Sequence, residues 1–290
     1  MKSGVSPGAD AHHAQAWRSV RGSALMAADT GPTTVPLLAA DEPPCVETVN
    51  ADGRSSLVLV CDHAANRVPR RLGSLGLDAL QLADHISWDP GAADVARRLS
   101  AELDAPLVLS GYSRLVIDCN RPLRSAESIA EQSGGVPVPG NRGLSPGERQ
   151  SRIDALFRPY HAAIARLLDA RTERPSLLLS IHSFTPVLNG RPRPWHIGVS
   201  CGRDRRLAAL MLGALARSGD FSVGDNQPYP IEDAIDYTIP VHGEGRGLPS
   251  AMIELRQDGI QTAAGAAAWA ARLAQAYRLI EAEALRSLAS

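Results

Sequence analysis

A layered α/β fold around a largely parallel sheet is the architecture this chain predicts, and two observations carry the prediction. Short strand-like runs alternate with helical patterns along most of the sequence. Those runs are apolar throughout rather than alternately apolar and polar, which is what strands covered by helices on both faces need. The polar residues collect just after the runs. In open α/β sheets the carboxyl ends of the strands line the ligand crevice.

The elements follow in order. Residues 1–45 are rich in Ala, Gly, Ser, Pro and His without periodicity, and they read as a disordered or loosely packed N-terminal extension. His12 and His13 adjoin there, and Met26 is an alternative start. From Ser55 the texture changes, and residues 46–290 read as one α/β domain. "SSLVLVCDH" is a buried strand ending in polar residues, and "GAADVARRLSAELD" has helical spacing. "APLVLSG" and "SRLVIDCNRP" read as two further strands. A long helix follows over 145–171, with Ser145 as N-cap and Pro146 at its first position. Then come "LLLSIHSFTP", a strand in "WHIGVS", a helix from Arg205 to Arg217, a buried strand in "LPSAMIELRQD", and a last helix from Ile260 to Leu288. No internal repeat is visible.

Composition narrows the functional classes. The formal net charge of -1 gives no global pull toward nucleic acid or an anionic membrane. No run of about 18 apolar residues offers a membrane span, and the N-terminus has no good signal-peptide pattern. Cys45, Cys61, Cys119 and Cys201 share no CxxC spacing and read as free thiols rather than a disulfide framework, which points to a cytoplasmic protein.

Four strand ends hold the chemistry. "LVLVCDH" ends at Asp62 and His63, "RLVIDCN" at Asn120 and Arg121, "LLLSIH" at His182, and "AMIELRQD" carries Glu254 and Arg256 near its end. A histidine there can simply cap a strand. Asp118 to Arg121 can be a turn closed by an Asx bond. Glu254 inside an apolar run must be paired, metal-linked or neutralised, and a salt bridge to an arginine is its plain reading. One metallohydrolase site explains all of them together.

"CDHAANRVPRRLGSLGL", "HISWDPGA", "GYSRLVIDCNRP", "LLSIHSF" and "YTIPVHGEGRGLPSAMIELRQD" together resemble the N-formylglutamate amidohydrolase family, in matching order over roughly residues 55–262. "SIHS", "IELR" and "DCNR" are more distantly similar to the metal-ligand strand, catalytic-glutamate strand and carboxylate-binding element of zinc carboxypeptidases. The resemblance implies a three-layer, phosphorylase/hydrolase-like sandwich with a mixed, mostly parallel central sheet. It implies one zinc ion per chain, with His63 and His182 as ligands. Carboxypeptidases place a glutamate three residues after the first histidine. Here that position is Asn66, so the carboxylate ligand is assigned to Asp89, with His85 as the alternative.

The implied reaction is hydrolysis of an N-acyl bond of an amino acid, such as formyl from glutamate. Glu254 is the general base, and Arg114 is placed on the carbonyl oxygen or a carboxylate. Asn120 and Arg121 hold the α-carboxylate, and Ser183 orients His182. His242 and Arg246 belong to a loop over the substrate, with Arg246 as the cation for an acidic side chain. A small-peptide metallocarboxypeptidase and a catalytically inactive amino-acid-binding relative are the competing readings. The partner is a small molecule, and the sequence does not specify an oligomeric state.

Overall fold

The computed structural model describes residues 36–217 and 219–288. Residues 1–35 of the expected extension, with His12, His13 and Met26, lie outside them. The packed unit begins at Pro36, and residues 36–45 belong to it. Leu37 is buried, and the Tyr112 hydroxyl donates to the Pro43 carbonyl at 2.8 Å.

The strands are β1 (Val46–Val49), β2 (Leu57–Cys61), β3 (Leu107–Ser110), β4 (Gln132–Ser133), β5 (Val136–Pro137), β6 (Leu177–Phe184), β7 (Val187–Leu188), β8 (Arg191–Pro192), β9 (Ile197–Ser200), β10 (Val223–Asp225) and β11 (Ser250–Arg256). The α-helices are α1 (Ala79–Ala83), α2 (Ala92–Leu103), α3 (Pro146–Arg152), α4 (Arg158–Asp169), α5 (Arg206–Ala216) and α6 (Ala263–Arg286). Seven strands form one mixed sheet in the order β1-β3-β2-β6-β11-β9-β10. The β3-β2, β2-β6, β6-β11 and β9-β10 pairs are parallel, and the β1-β3 and β11-β9 pairs are antiparallel. β4-β5 and β7-β8 are separate two-stranded hairpins.

Strand periodicity sorts the core into two layers. Leu57 and Leu59 of β2, Leu177, Leu179 and Ile181 of β6, and Ala251, Ile253 and Leu255 of β11 face α2, α5 and α6. Their neighbours Val58, Val60, Leu178 and Met252 face Tyr160, Ile164 and Leu168 of α4. Helices cover both faces, so the sheet is the middle of three layers. No helix among the described residues is long and apolar enough to cross a membrane.

Two expected elements differ. "SRLVIDCN" is a chain of turns, not a strand: the Val116 amide donates to the Ser113 carbonyl, and the Asn120 amide to Asp118 Oδ1 at 2.8 Å. Leu115, Val116 and Ile117 are nevertheless buried, against Leu75 and Phe157 in a second small core. An apolar run reports burial, and burial does not require a strand. The long helix over 145–171 is also interrupted. Ser145 caps α3, but residues Ile153–Phe157 form a π-helical turn before α4. Pro159 has no amide hydrogen to give the turn before it, which accounts for the widened ladder.

Candidate metal centre and active-site pocket

The sheet register places the first two groups. β6 and β11 run parallel with His182 opposite Glu254. Both lie on the even-numbered face, which looks toward α4, as does Asp62 one residue beyond β2. His63 follows at the strand end, and Asp89 lies on the loop leading into α2. The Asp89 amide donates to the His63 carbonyl at 3.0 Å, which ties that loop to the end of β2. Gly91 caps α2 in the left-handed region, at φ 84°, and a Cβ there would meet the Ile260 carbonyl oxygen at 2.7 Å. Only glycine lets the loop close this tightly onto the start of α6.

His63, Asp89 and His182 each offer a ligand atom, and these atoms lie within 4.8 Å of one another. Asp89 Oδ2 is 2.9 Å from His182 Nδ1 and 3.4 Å from His63 Nδ1, and it accepts from the Ser183 amide at 3.2 Å. The far nitrogens are held as well. His182 Nε2 donates to Asp62 at 2.8 Å, and His63 Nε2 donates to Asp118 at 2.7 Å. Asp62 is fixed in turn by the hydroxyls of Tyr160, Ser180 and Thr238. A carboxylate on the outer nitrogen sets the tautomer and ring angle of a ligating histidine. It directs both Nδ1 atoms inward as the candidate ligand atoms.

Electrostatics follows from this crowding. Burial alone would drive all three aspartates up, but the imidazoles, with Arg114 beside Asp118, hold Asp62, Asp89 and Asp118 well below the usual carboxylate range. Burial likewise disfavours a charged His182, yet its bonds to Asp62 and Asp89 lift it well above an ordinary histidine. Glu254 is 5 % exposed, and its Oε2 has no hydrogen-bond partner. Burial pushes Glu254 up to about 7, against the pull of His182.

A cavity of about 260 Å³ opens onto these groups. His63, Asp89, His182 and Glu254 share its wall with Arg114, Asn120, Arg121, Ser183 and Gln257. Arg114 donates through Nε to Asp118 at 2.9 Å and lies 3.7 Å from Asp89. Asn120 accepts from the Tyr237 and Thr238 amides and donates to Asp236 at 3.0 Å, so its side-chain oxygen is taken and one of its two amide hydrogens is used. Arg121 meets Asp236 and the Asn120 carbonyl through Nη1 alone, which leaves Nε and Nη2 for a ligand.

A family model described as N-formylglutamate amidohydrolase matches residues 55–261. The chain belongs to this family. It is 30 % identical over 190 residues to an N-formylglutamate deformylase of Pseudomonas putida, covering 59 % of this chain and 69 % of that protein. A gene product of Agrobacterium tumefaciens has a crystal structure that superposes with a TM-score of 0.80 at 37 % identity, over 84 % of this chain and 99 % of the other. The structure of an N-formylglutamate amidohydrolase from Ralstonia eutropha superposes at 0.61 with 20 % identity, over 82 % and 98 %, and so shares the fold.

Other candidates from the sequence fall elsewhere. Asn66 donates to the Leu82 carbonyl and is not in the ligand cluster. His85 lines the pocket but binds Asp84. Ser183 donates its hydroxyl to Pro90 and accepts from Gln257, so it supports the wall rather than the His182 ring. Arg246 pairs with Asp169, and His242 packs on His161; neither lines the pocket. The sequence offers no site role for Asp62, Asp236 and Gln257, and for Asp118 only the Asx turn, whose bond from the Asn120 amide is present. Asp62 and Asp118 were signalled by position, since each ends an apolar run beside a chosen residue. Asp236 and Gln257 carried no such signal.

Proposed function

We propose that this chain hydrolyses the N-acyl bond of an acylated amino acid, with N-formyl-L-glutamate as the first substrate to test. One divalent ion, zinc by ligand type, is held by His63, Asp89 and His182. The observation that carries this reading is the cluster itself: three buried ligand atoms within 4.8 Å, with a partnerless glutamate oxygen in the same pocket wall.

The donor set fits a dication. Both ring nitrogens of each histidine face carboxylates, so without metal the inner nitrogens hold protons. Exchanging two protons for one dication leaves the local charge unchanged. Two imidazoles and a carboxylate, oriented by outer carboxylates, are zinc ligands of ordinary type. When bound, such an ion polarises the acyl carbonyl and makes water a stronger acid.

The chain's own groups supply the rest. Glu254 Oε2 is free to take the proton of the attacking water and to pass it to the departing amine, and a group tuned near neutrality can do both. Arg114, locked by Asp118, presents its remaining donors to the oxygen that gains charge. Arg121 grips the α-carboxylate through Nε and Nη2. Asp236 and the Asn120 backbone carbonyl hold Arg121 in place, and the remaining Asn120 amide hydrogen helps on the same substrate carboxylate.

The test is formate or acetate release from N-formyl and N-acetyl amino acids, with metal content measured on the same protein. Turnover that disappears on chelation and returns with zinc is the expected result. Release of amino acids from dipeptides without cleavage of N-formyl substrates would favour a carboxypeptidase instead.

A further inference from the structure

An acidic substrate side chain needs a cation beyond Arg121. Arg246, which the sequence offered for this role, is tied to Asp169 outside the pocket. Arg114 is committed to Asp118 and Asp89. Arg193, just after β8 at the foot of the β7-β8 hairpin, has a different environment. It is only 9 % exposed, yet it makes no ion pair with any described residue. Its guanidinium packs over Phe184 at 5.6 Å and Tyr229 at 4.9 Å, and Nη2 donates to the Tyr229 hydroxyl at 2.6 Å. Nη1 is buried with no hydrogen-bond partner at all.

A buried cation is normally paired with an anion, because stripping it of water is costly. Two aromatic faces compensate for part of that loss. They do not satisfy Nη1. Phe184 and Tyr229 both line the pocket, so one aromatic layer separates the charge from the cavity. Tyr229 is 41 % exposed, and among the described residues Arg193 is the recorded hydrogen-bond partner of its hydroxyl.

We infer that Arg193 is the specificity-determining cation of the pocket, reading a second carboxylate carried by the substrate's side chain. The inference rests on the hydrolase reading above and names the residue by which an acidic side chain is chosen over a neutral one. Tyr229 turns aside, its hydroxyl leaves Nη2, and the carboxylate takes both terminal nitrogens in the paired geometry that guanidinium favours. Phe184 and Leu188 flank the methylene chain.

The test compares N-formyl-L-glutamate with N-formyl-L-glutamine, its uncharged near-isostere, on the metal-loaded protein. Wild type is expected to favour glutamate by about 100-fold in kcat/KM, the scale set by leaving one buried polar group unsatisfied. Arg193→Met should bring the ratio near one, mainly by raising KM for glutamate, with glutamine turnover changed only a few-fold. Arg193→Lys keeps charge without the fork, and its ratio should fall in between. A wild-type ratio near one overturns the proposal even if no variant folds. Equal losses on both substrates in a folded Arg193→Met would also overturn it, since they mark a packing role. If no N-formyl amino acid is cleaved, the hydrolase reading fails and this inference falls with it; cleavage without acid preference removes this inference alone.

Discussion

Glu254 shows how one residue's chemistry is made by its surroundings. On a surface strand it would be an ordinary carboxylate. Here burial lifts it to about 7 in the metal-free protein, and a dication alongside would bring that value down. kcat/KM should therefore fall on an acid limb whose midpoint lies at or below about 7, and a rate independent of pH down to 4 would exclude Glu254 as the base. Glu254→Gln should lower kcat by about 10²–10⁴-fold, the range for a positioned base, while metal content stays at wild-type level. Asp118 acts one step further out. It orients His63 and anchors Arg114, so Asp118→Asn should weaken metal affinity about 10–100-fold and lower kcat as well. Zinc titration against a competing chelator checks the first effect.

Among the elements, α4 and the π-helical turn Ile239–Gly243 meet through an imidazole pair. His161 Nε2 donates to the Cys119 carbonyl at 2.8 Å, so its Nδ1 must accept from His242 Nε2 at 3.0 Å. His242 Nδ1 is then a buried lone pair without a partner. Burial pushes His161 down to about 4 and His242 down to about 3. Both rings stay neutral in the folded chain, whereas the unfolded chain protonates them near 6.5. The unfolded state therefore binds more protons below that pH, and stability falls as pH drops from about 6.5 toward 4. Glu254, raised to about 7 by burial, and His182, raised by its aspartates, act in the opposite sense over part of the range from pH 7.5 to 5, so the share of this pair is isolated by a variant of the pair. Denaturant midpoints measured at pH 7.5 and pH 5 check this: His242→Gln should lose less stability, or gain more, than wild type on going to pH 5, and equal changes in the two proteins would exclude the pair. The same scale explains the misread turn. Leu115 to Ile117 have the composition of a strand, but the ladder positions beside β3 are taken by β1 and β2, so those residues pack into a satellite core.

At the scale of the whole molecule, three layers place the ends of β2, β6 and β11 side by side, and loops from distant parts of the chain close over them. Holding an ion between β2, β6 and the loop before α2 ties together segments 26 and 93 residues apart. Metal at about 100 times its Kd should add about 2.7 kcal/mol to stability. Thermal unfolding with and without zinc measures this, and the shift should vanish in His63→Ala and His182→Ala. A shift that persists in both would move the ion elsewhere.

The sequence by itself determined the alternating elements, the wholly apolar strands and the polar strand ends. Hydrophobic pattern and strand period are local properties, and they are enough to bring His63, His182 and Glu254 to one edge of a sheet. Tertiary structure alone decided which groups share the pocket. Asp62 and Asp118 became partners of the imidazoles, Asp236 came to hold Arg121, and Arg246 turned away to Asp169 while Arg193 came up behind Phe184 and Tyr229. Those pairings join residues up to 176 positions apart, as between Asp62 and Thr238. No local pattern encodes them, because they depend on where each loop returns over the sheet.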